Sequence, residues 1–241
     1  MPHGRSAGPY ASALVFSQAN LSRMTYSGEV TVGGAAAVRE LPGLVISKLA
    51  VGPYNNNSYL LRCTATGAQA LIDAAAEPDR LLALIGPTGL QFVITTHSHK
   101  DHWQALAEVV EATGAMTVAH AIDAADIPVA TDITLADGEH LSFGAIDLEA
   151  IHLIGHTDGS IALLFDDPDG PPHLFTGDCL FPGGVGNTKD DPVRFESLLD
   201  GVEEKLFDRL PDETWIYPGH GGDTILGAER PHLAEWRSRG W

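Results

Sequence analysis

The sequence predicts an α/β protein in which short strands alternate with amphipathic helices. Apolar runs rich in Val, Ile and Leu recur along the chain and are bounded by Gly, Pro and Asn, as expected for strands. Between several of these runs, apolar residues recur at helical spacing. At 241 residues, the chain is long enough to bury a substantial core within one domain.

The first half of the chain predicts four strands and two helices. The strands are expected at residues 44–51, 58–63, 70–73 and 92–96. A helix at 77–85 ends at Gly86 and Pro87, and a helix at 103–112 ends at Gly114. Glycine permits the left-handed backbone that closes many helices, and proline cannot continue one.

The second half predicts a second sheet and two further helices. Strands at 116–119, 141–143, 148–154, 161–166 and 174–176 are assigned to this sheet, and a last strand is expected at 214–217. Pro192 suits the first turn of a helix at 192–210, and another helix is expected at 229–239. Residues 1–23 lack periodicity and are predicted to form an N-terminal extension, which leaves 24–241 as a single domain.

Composition disfavours several classes of function. The formal net charge is −18, with 14 basic residues against 32 acidic ones. Nucleic-acid binding needs clusters of Lys and Arg, so a nuclease is disfavoured. No apolar run approaches the roughly 20 residues that span a bilayer, and two cysteines do not make a disulfide framework. We therefore expect a cytoplasmic enzyme that binds neither nucleic acid nor membrane, with Cys179 as a small core residue.

The most informative stretch follows the strand at 92–96. His97, His99, Asp101 and His102 occupy four of the next six positions. A strand that ends there would deliver three imidazoles and a carboxylate into one loop. This set of side chains suits zinc or ferrous iron. The simpler interpretation is a solvated, histidine-rich turn.

Three more candidate ligands follow predicted strands farther along the chain. His156 follows the strand at 148–154, Asp178 follows 174–176, and His220 follows 214–217. Taken alone, each has a simple explanation as a turn former. Each is also flanked by glycine or a small residue, which gives the backbone freedom and the space that a site at strand ends requires. Together with the first cluster, they indicate a metal site.

In this order, HxHxDH, GHT, TGD and PGH resemble the motifs of the metallo-β-lactamase superfamily, and within it those of the glyoxalase II-like hydrolases. The resemblance extends from about Leu44 to the C-terminus. It implies an αββα sandwich of two mixed β-sheets flanked by helices. It also implies two divalent metal ions, with zinc as the first expectation and iron or manganese as alternatives.

The resemblance also assigns the ligands residue by residue. One ion would be held by His97, His99 and His156, the second by Asp101, His102 and His220, and Asp178 would bridge the two. Lactamases proper tend to have cysteine at the position of Asp178, so the aspartate favours the hydrolases.

A pair of ions would supply hydrolytic chemistry without a serine or cysteine nucleophile. The ions can hold a bridging water and lower its pKa from roughly 15.7 toward about 7. Asp101 is the candidate catalytic residue, because it can orient this water and take its proton. A thiolate, with a pKa near about 8.5, leaves with little acid assistance. The resemblance therefore implies a thioester hydrolase of glyoxalase II type, which acts on an S-acyl conjugate of a small thiol.

The sequence departs from the glyoxalase II pattern where the thiol carrier binds. Members that hydrolyse S-lactoylglutathione usually have a basic residue where this chain has Asn187, and Lys189 lies two positions farther on. Asn56 matches an asparagine that lines the metal cleft in glyoxalase II-like proteins. These three residues are the candidate substrate contacts, and the identity of the thiol stays open. The 21 residues after His220 leave room for one helix, so the chain resembles the short form of the family.

Two other activities stay open. A lactonase or related esterase would use the same ligands with a different pocket. An iron-dependent persulfide dioxygenase would use a three-residue site close to His97, His99 and Asp178, and it typically has the basic residue that Asn187 replaces. A non-catalytic role is disfavoured, because every ligand position is filled.

Overall fold

Two β-sheets pack face to face in the computed structural model, which describes residues 26–240. The extension predicted at 1–23 lies outside these residues. The first sheet has seven strands, arranged in the order in which they occur along the chain. These strands are β1 (Ala37–Glu40), β2 (Leu44–Val51), β3 (Asn56–Cys63), β4 (Gln69–Ile72), β5 (Phe92–Ile94), β6 (Met116–Ala119) and β7 (Ile133–Thr134).

The second sheet has six strands, and a separate hairpin follows its central strand. The sheet contains β8 (His140–Phe143), β9 (Ile146–His152), β10 (Ile161–Phe165), β11 (His173–Gly177), β14 (Trp215–Pro218) and β15 (Thr224–Ile225). The hairpin consists of β12 (Leu180–Phe181) and β13 (Gly184–Val185). The order in the sheet is β15-β14-β11-β10-β9-β8. Both sheets are mixed, because β4 to β7 run parallel in the first and β11 and β14 run parallel in the second.

Helices cover the outer face of each sheet. They are α1 (Pro78–Ile85), α2 (Leu106–Thr113), α3 (Ala121–Ala124), α4 (Pro192–Val202), α5 (Leu226–Glu229) and α6 (Leu233–Arg239). On the first sheet, Leu81 of α1 belongs to the same buried cluster as Val93 of β5. On the second sheet, Leu198 of α4 packs in one cluster with Leu164 of β10. No helix within residues 26–240 is long and apolar enough to cross a bilayer.

The main core lies between the two sheets. Tyr59 and Leu61 of β3 point into it, whereas Leu60 between them belongs to the cluster under α1 and α2. This alternation follows from the strand geometry, since successive side chains point to opposite faces. From the second sheet, Phe175 and Tyr217 enter the core with their rings stacked 4.7 Å apart. The layers therefore confirm the predicted αββα sandwich.

One predicted strand lies in the other sheet. The strand at 116–119 was assigned to the second sheet, but β6 pairs with β5 in the first. The reason is the connection: α2 separates β5 from β6, and a helical crossover returns the chain parallel to the strand it left. The local sequence pattern identifies the strand, but the helical crossover determines which strand it pairs with.

The observed helices in the second half of the chain differ from the predicted ones in where they end and in their continuity. Asp191 caps α4 by accepting hydrogen bonds from the N–H groups of Val193 (2.9 Å) and Arg194 (3.3 Å), and Pro192 occupies the first turn. The helix predicted to reach 210 changes to a π-helical segment at Glu203–Phe207. The helix predicted at 229–239 is interrupted by the 3₁₀ turn Arg230–His232, where Pro231 supplies no N–H group to continue it.

Four strands bring their carboxyl ends to one edge of the sandwich. In the first sheet Ile72 of β4 pairs with Ile94 of β5, and in the second Gly177 of β11 pairs with Pro218 of β14. The backbone links the two sheets at this edge, because the N–H of Asn57 donates to the Gly219 carbonyl at 2.7 Å. Loops that follow these strands therefore lie close together, and they contain most of the predicted ligands.

Candidate metal centre

The seven predicted ligand side chains converge at this edge. The loop after β5 ends in the 3₁₀ turn Lys100–His102, and the other candidates lie between β9 and β10, after β11 and after β14. Three groups have donor atoms within 4.8 Å of one another. They are His97 with His99 and His156; His97 with His102 and Asp178; and Asp101 with His102 and His220.

The first triad consists of three imidazoles. His99 Nδ1 lies 2.8 Å from His156 Nε2, which lies 3.3 Å from His97 Nε2. Ligands around a tetrahedral zinc ion, with bonds near 2.0–2.1 Å, are separated by roughly 3.4 Å. The three nitrogen atoms therefore have a spacing that fits one ion with little adjustment.

The second triad combines two imidazoles with a carboxylate. His102 Nε2 and His220 Nε2 are 3.2 Å apart. Asp101 Oδ2 lies 3.4 Å from His220 Nε2 and 3.7 Å from His102 Nε2. These separations also match the edge of a small coordination polyhedron, and the mixed donors suit the same borderline metals.

Asp178 lies between the two triads. Its Oδ2 is 3.5 Å from His156 Nε2 and 3.4 Å from His220 Nε2, and its Oδ1 is 3.4 Å from His102 Nε2. Oδ1 is buried and has no hydrogen-bond partner within residues 26–240. A buried carboxylate oxygen without a partner is energetically costly. A pair of cations would supply the missing partner, so the donor set fits a dinuclear metal.

The imidazoles of the first triad have lowered pKa values and are neutral, so their nitrogen lone pairs are free to bind a metal. Burial lowers the pKa of His97 well below its ordinary value and lowers that of His156 to about 4. Burial and the nearby charge of Lys189 also lower the pKa of His99. These imidazoles are neutral at pH 7, which is the form that binds a metal.

In the second triad, carboxylates raise the pKa values of the two histidines. Burial would lower the pKa of His102, but Asp73 and Asp178 raise it to about 10. Burial is likewise outweighed at His220, where Asp101 and Asp178 raise the pKa to about 9. The hydrogen bond with His220 in turn holds the pKa of Asp101 below its usual range. His102, His220 and Asp101 would hold a metal ion with the two imidazoles deprotonated, so binding there would release protons.

A second layer of contacts orients the imidazoles. His102 Nδ1 donates to Asp73 Oδ2 at 2.8 Å, and Asp73 also accepts from the N–H and the hydroxyl of Thr96, each at 2.8 Å. His156 Nδ1 donates to the Asn187 carbonyl at 2.8 Å. Such partners fix the ring orientation and tautomer of metal-binding histidines. The sequence analysis did not identify Asp73. Like the other candidates, however, Asp73 is a polar residue at the end of a predicted strand, here the one at 70–73.

Asp123 of α3 ties two ligand loops together. One of its oxygens, Oδ2, accepts from the N–H of Ser98 and from the hydroxyl of Thr157, each at 2.7 Å. The other oxygen accepts from the N–H of Gly159 at 2.8 Å. The side chain is buried, and it joins the loop of His97 and His99 to the loop of His156. Nothing in the local sequence around Asp123 predicts this role.

The loop of His220 is fixed by a buried ion pair. Lys48 Nζ contacts Asp223 Oδ1 at 2.5 Å and donates to the Gly221 carbonyl at 2.7 Å. Asn57 Nδ2 donates to the same carbonyl at 2.9 Å. Between these contacts, Gly219 leaves room for the site: an added Cβ would meet the Asp178 carboxylate and lie 2.8 Å from His102 Cε1. Two strands of the first sheet thus hold a ligand loop of the second.

The three candidate substrate contacts occupy different environments. Asn56 is fully buried and donates from Nδ2 to Asp101 Oδ2 at 2.9 Å. The side chain of Asn187 is exposed and accepts from the N–H of Lys189 at 2.6 Å. Lys189 lines a cavity of about 340 Å³ whose wall includes His99 and His156. The contact of each with substrate stays a prediction.

Comparison with known proteins places the chain in a family. Residues 51–220 match the metallo-beta-lactamase superfamily. The chain therefore belongs to this superfamily, and the predicted resemblance is confirmed.

Three relatives illustrate the range of similarity. Hydroxyacylglutathione hydrolase of Polaromonas sp. is 34% identical over 181 residues, which are 73% of this chain and 66% of the relative. ETHE1 from Myxococcus xanthus has a TM-score of 0.70 at 29% identity over 80% of this chain and 84% of its own. TTHA1623, solved in a di-iron-bound form, has a TM-score of 0.64 at 33% identity over 76% of this chain and 96% of its own. The chain thus spans just under two thirds of the Polaromonas enzyme.

Proposed function

We propose that the protein is a metal-dependent hydrolase with a dinuclear centre, and that its substrate is a thioester of a small thiol, as in glyoxalase II. The position of Asp178 carries this proposal. A single oxygen, Oδ2, lies within 3.5 Å of an imidazole nitrogen from each triad. A carboxylate in that position suits two ions that share it better than one ion held alone.

The first ion is assigned to His97, His99 and His156, the second to Asp101, His102 and His220, and Asp178 to both. Zinc is the first expectation, and iron or manganese would suit the same nitrogen and oxygen donors. The likeness to a protein solved with two iron ions supports iron as a specific alternative. When bound, two such ions supply a water of lowered pKa and polarise the substrate carbonyl.

Asp101 is proposed to orient the attacking water and receive its proton. Its carboxylate is fixed by Asn56 at 2.9 Å and keeps a quarter of its surface exposed. It also forms part of the wall of a cavity of about 370 Å³ next to the cluster. Its lowered pKa keeps it ionised at neutral pH, so it accepts hydrogen bonds from water throughout the physiological range.

The chemistry of the leaving group supports a thioester as the substrate. A thiolate with a pKa near about 8.5 departs at neutral pH with little acid assistance. The similarity to hydroxyacylglutathione hydrolases supports the same substrate class. Related enzymes usually have a basic residue at the position of Asn187. We propose that Lys189 contacts the thiol carrier instead, because it lines the cavity beside His99 and His156.

An iron-dependent persulfide dioxygenase is the second candidate. The likeness to ETHE1 is consistent with it. It would need only a three-residue site, whereas the second triad is complete in this chain and has its own supporting contacts. That completeness favours the hydrolase. A lactonase or esterase would use both ions and differs only in substrate.

A turnover panel tests the proposal. The metal-loaded protein is assayed with S-lactoyl conjugates of glutathione and of other small thiols, with lactones, and with a persulfide under oxygen-uptake monitoring. We expect thiol release from at least one thioester, its loss after chelation and its recovery after metal is restored. Oxygen uptake on the persulfide without thioester hydrolysis would contradict the proposal. Location in the cytoplasm and the absence of nucleic-acid partners stay predictions.

A further inference from the structure

The four lysines of the chain fall into two kinds. Lys48 and Lys205 form ion pairs, with Asp223 at 2.5 Å and Asp137 at 2.9 Å. Lys100 and Lys189 form neither an ion pair nor a side-chain hydrogen bond within residues 26–240, and both are exposed. Carboxylates are abundant in a chain with 32 acidic residues, yet neither of these two ammonium groups pairs with one in the part of the chain that the structure describes.

The two unpaired lysines both line cavities next to the metal cluster. Lys189 lies in the cavity of about 340 Å³ that includes His99 and His156 of the first triad. Lys100 lies in the cavity of about 370 Å³ that includes Asp101 of the second triad, together with the exposed Tyr54. Each triad therefore has one free ammonium group beside it.

The net negative charge of the chain makes these two ammonium groups favourable sites for an anionic ligand. At a formal charge of −18, the surface repels anionic ligands at long range. A local unpaired cation offsets that repulsion and offers a contact that no carboxylate of the protein already occupies. Lys189 and the candidate ligand His99 line the same cavity.

We propose that Lys100 and Lys189 bind two anionic groups of one substrate, one on each side of the bond that is cleaved. This proposal rests on the hydrolase function and narrows its substrate class. The substrate would be a thioester whose acyl part and whose carrier each bear a carboxylate or a similar anion. A neutral acyl group such as lactoyl would leave one of the two lysines without a partner.

Four matched thioesters test the effect of the acyl charge and of the carrier charge separately. An acetyl group (neutral) or a succinyl group (anionic) is joined to N-acetylcysteamine (neutral) or N-acetylcysteine (anionic). The kcat/KM of each is measured for the wild type and for Lys100→Met and Lys189→Met. Arg62→Met is the control with the same change in net charge. Arg62 is exposed on β3, forms no ion pair in the described part of the chain, and lies about 20 Å along the strand from Asn56.

Each lysine variant should lose the preference for one of the two charges. We expect the anionic-to-neutral ratio of kcat/KM to fall about fivefold, the order expected of an exposed ion pair. The ratio should fall for the acyl charge in Lys100→Met and for the carrier charge in Lys189→Met. Arg62→Met should leave both ratios near wild type. Lys100→Arg should restore the preference. The effect should shrink in about 1 M salt, where the screening length is roughly 3 Å.

The outcomes distinguish this proposal from the function on which it rests. If the wild type hydrolyses the neutral thioester but Lys100→Met or Lys189→Met, like Arg62→Met, changes all four rates alike, the substrate proposal is overturned and the hydrolase stands. If the wild type hydrolyses an S-lactoyl thioester of the turnover panel but none of these four, the substrate proposal is overturned and the hydrolase stands. If it hydrolyses no thioester of either set, both are overturned. Metal content and thermal unfolding of each variant show that a lost preference does not come from a lost fold.

Discussion

Replacing Asp123 with asparagine tests how far the first triad depends on the link between its two loops. The carboxylate accepts three hydrogen bonds, two through Oδ2 and one through Oδ1. An amide has one oxygen, so an NH₂ group must face a donor, and the N–H of Gly159 loses its acceptor when the oxygen keeps the Oδ2 contacts. A buried N–H left unpaired costs about 1–3 kcal/mol. Loss of such support behind metal ligands typically weakens metal affinity about 10- to 100-fold.

The matched control for this change is Asp126→Asn. Like Asp123, Asp126 lines the cavity of about 340 Å³ that includes His99 and His156. Asp126 is exposed, however, and the substitution removes the same charge. The free energy of unfolding of the metal-free proteins is measured by denaturant titration, and the affinities for the first and second metal equivalents by competition with a chromophoric chelator. Asp123→Asn should lose about 1–3 kcal/mol of stability and bind one equivalent about 10- to 100-fold more weakly. Equal behaviour of the two variants would refute the role of Asp123.

Substitutions at two further sites test buried ionisable groups. Lys48→Met should destabilise the protein by about 3–5 kcal/mol, because it leaves the Asp223 carboxylate buried without its cation; adding Asp223→Asn should recover most of the loss in denaturant titrations, and no recovery would count against the ion pair. Burial lowers the pKa of His173 to about 3, so the folded state stays neutral while the unfolded state takes a proton below about 6.5. Relative to His173→Phe, the wild type should therefore lose about 1.4 kcal/mol per pH unit as the pH falls from 6.5 toward 3, and a difference in unfolding free energy that stays constant with pH would contradict this.

The ligands were predictable from sequence because each repeats one local signal. An apolar run ends, a small residue follows, and a metal-binding side chain stands beside it, as at His156 and Asp178. Their convergence also follows from topology, since parallel strands such as β11 and β14 present their carboxyl ends at one edge. Sequence and family resemblance together were therefore sufficient to predict the sandwich and the convergence of the seven candidate ligands.

The supporting residues were not predictable in the same way. Asp123 acts on a partner 36 positions away, Gly159, and only the folded chain brings the two together. Lys48 occupies a strand position whose neighbours are apolar, so its burial and its contact with the Gly221 carbonyl depend on the opposite sheet. Asn56 was predicted to line the cleft, and in the structure it donates a hydrogen bond to Asp101, a candidate ligand. Long-range polar contacts of this kind leave no periodic trace in a sequence.

The central claim is that two metal ions share Asp178, and the metal content per chain tests it most directly. Elemental analysis of the purified wild type, beside Asp178→Ala, should give two divalent ions per wild-type chain and fewer than two in the variant, because the oxygen atoms near both triads are gone. A single ion per wild-type chain under saturating metal, or two ions retained in Asp178→Ala, would contradict the shared centre.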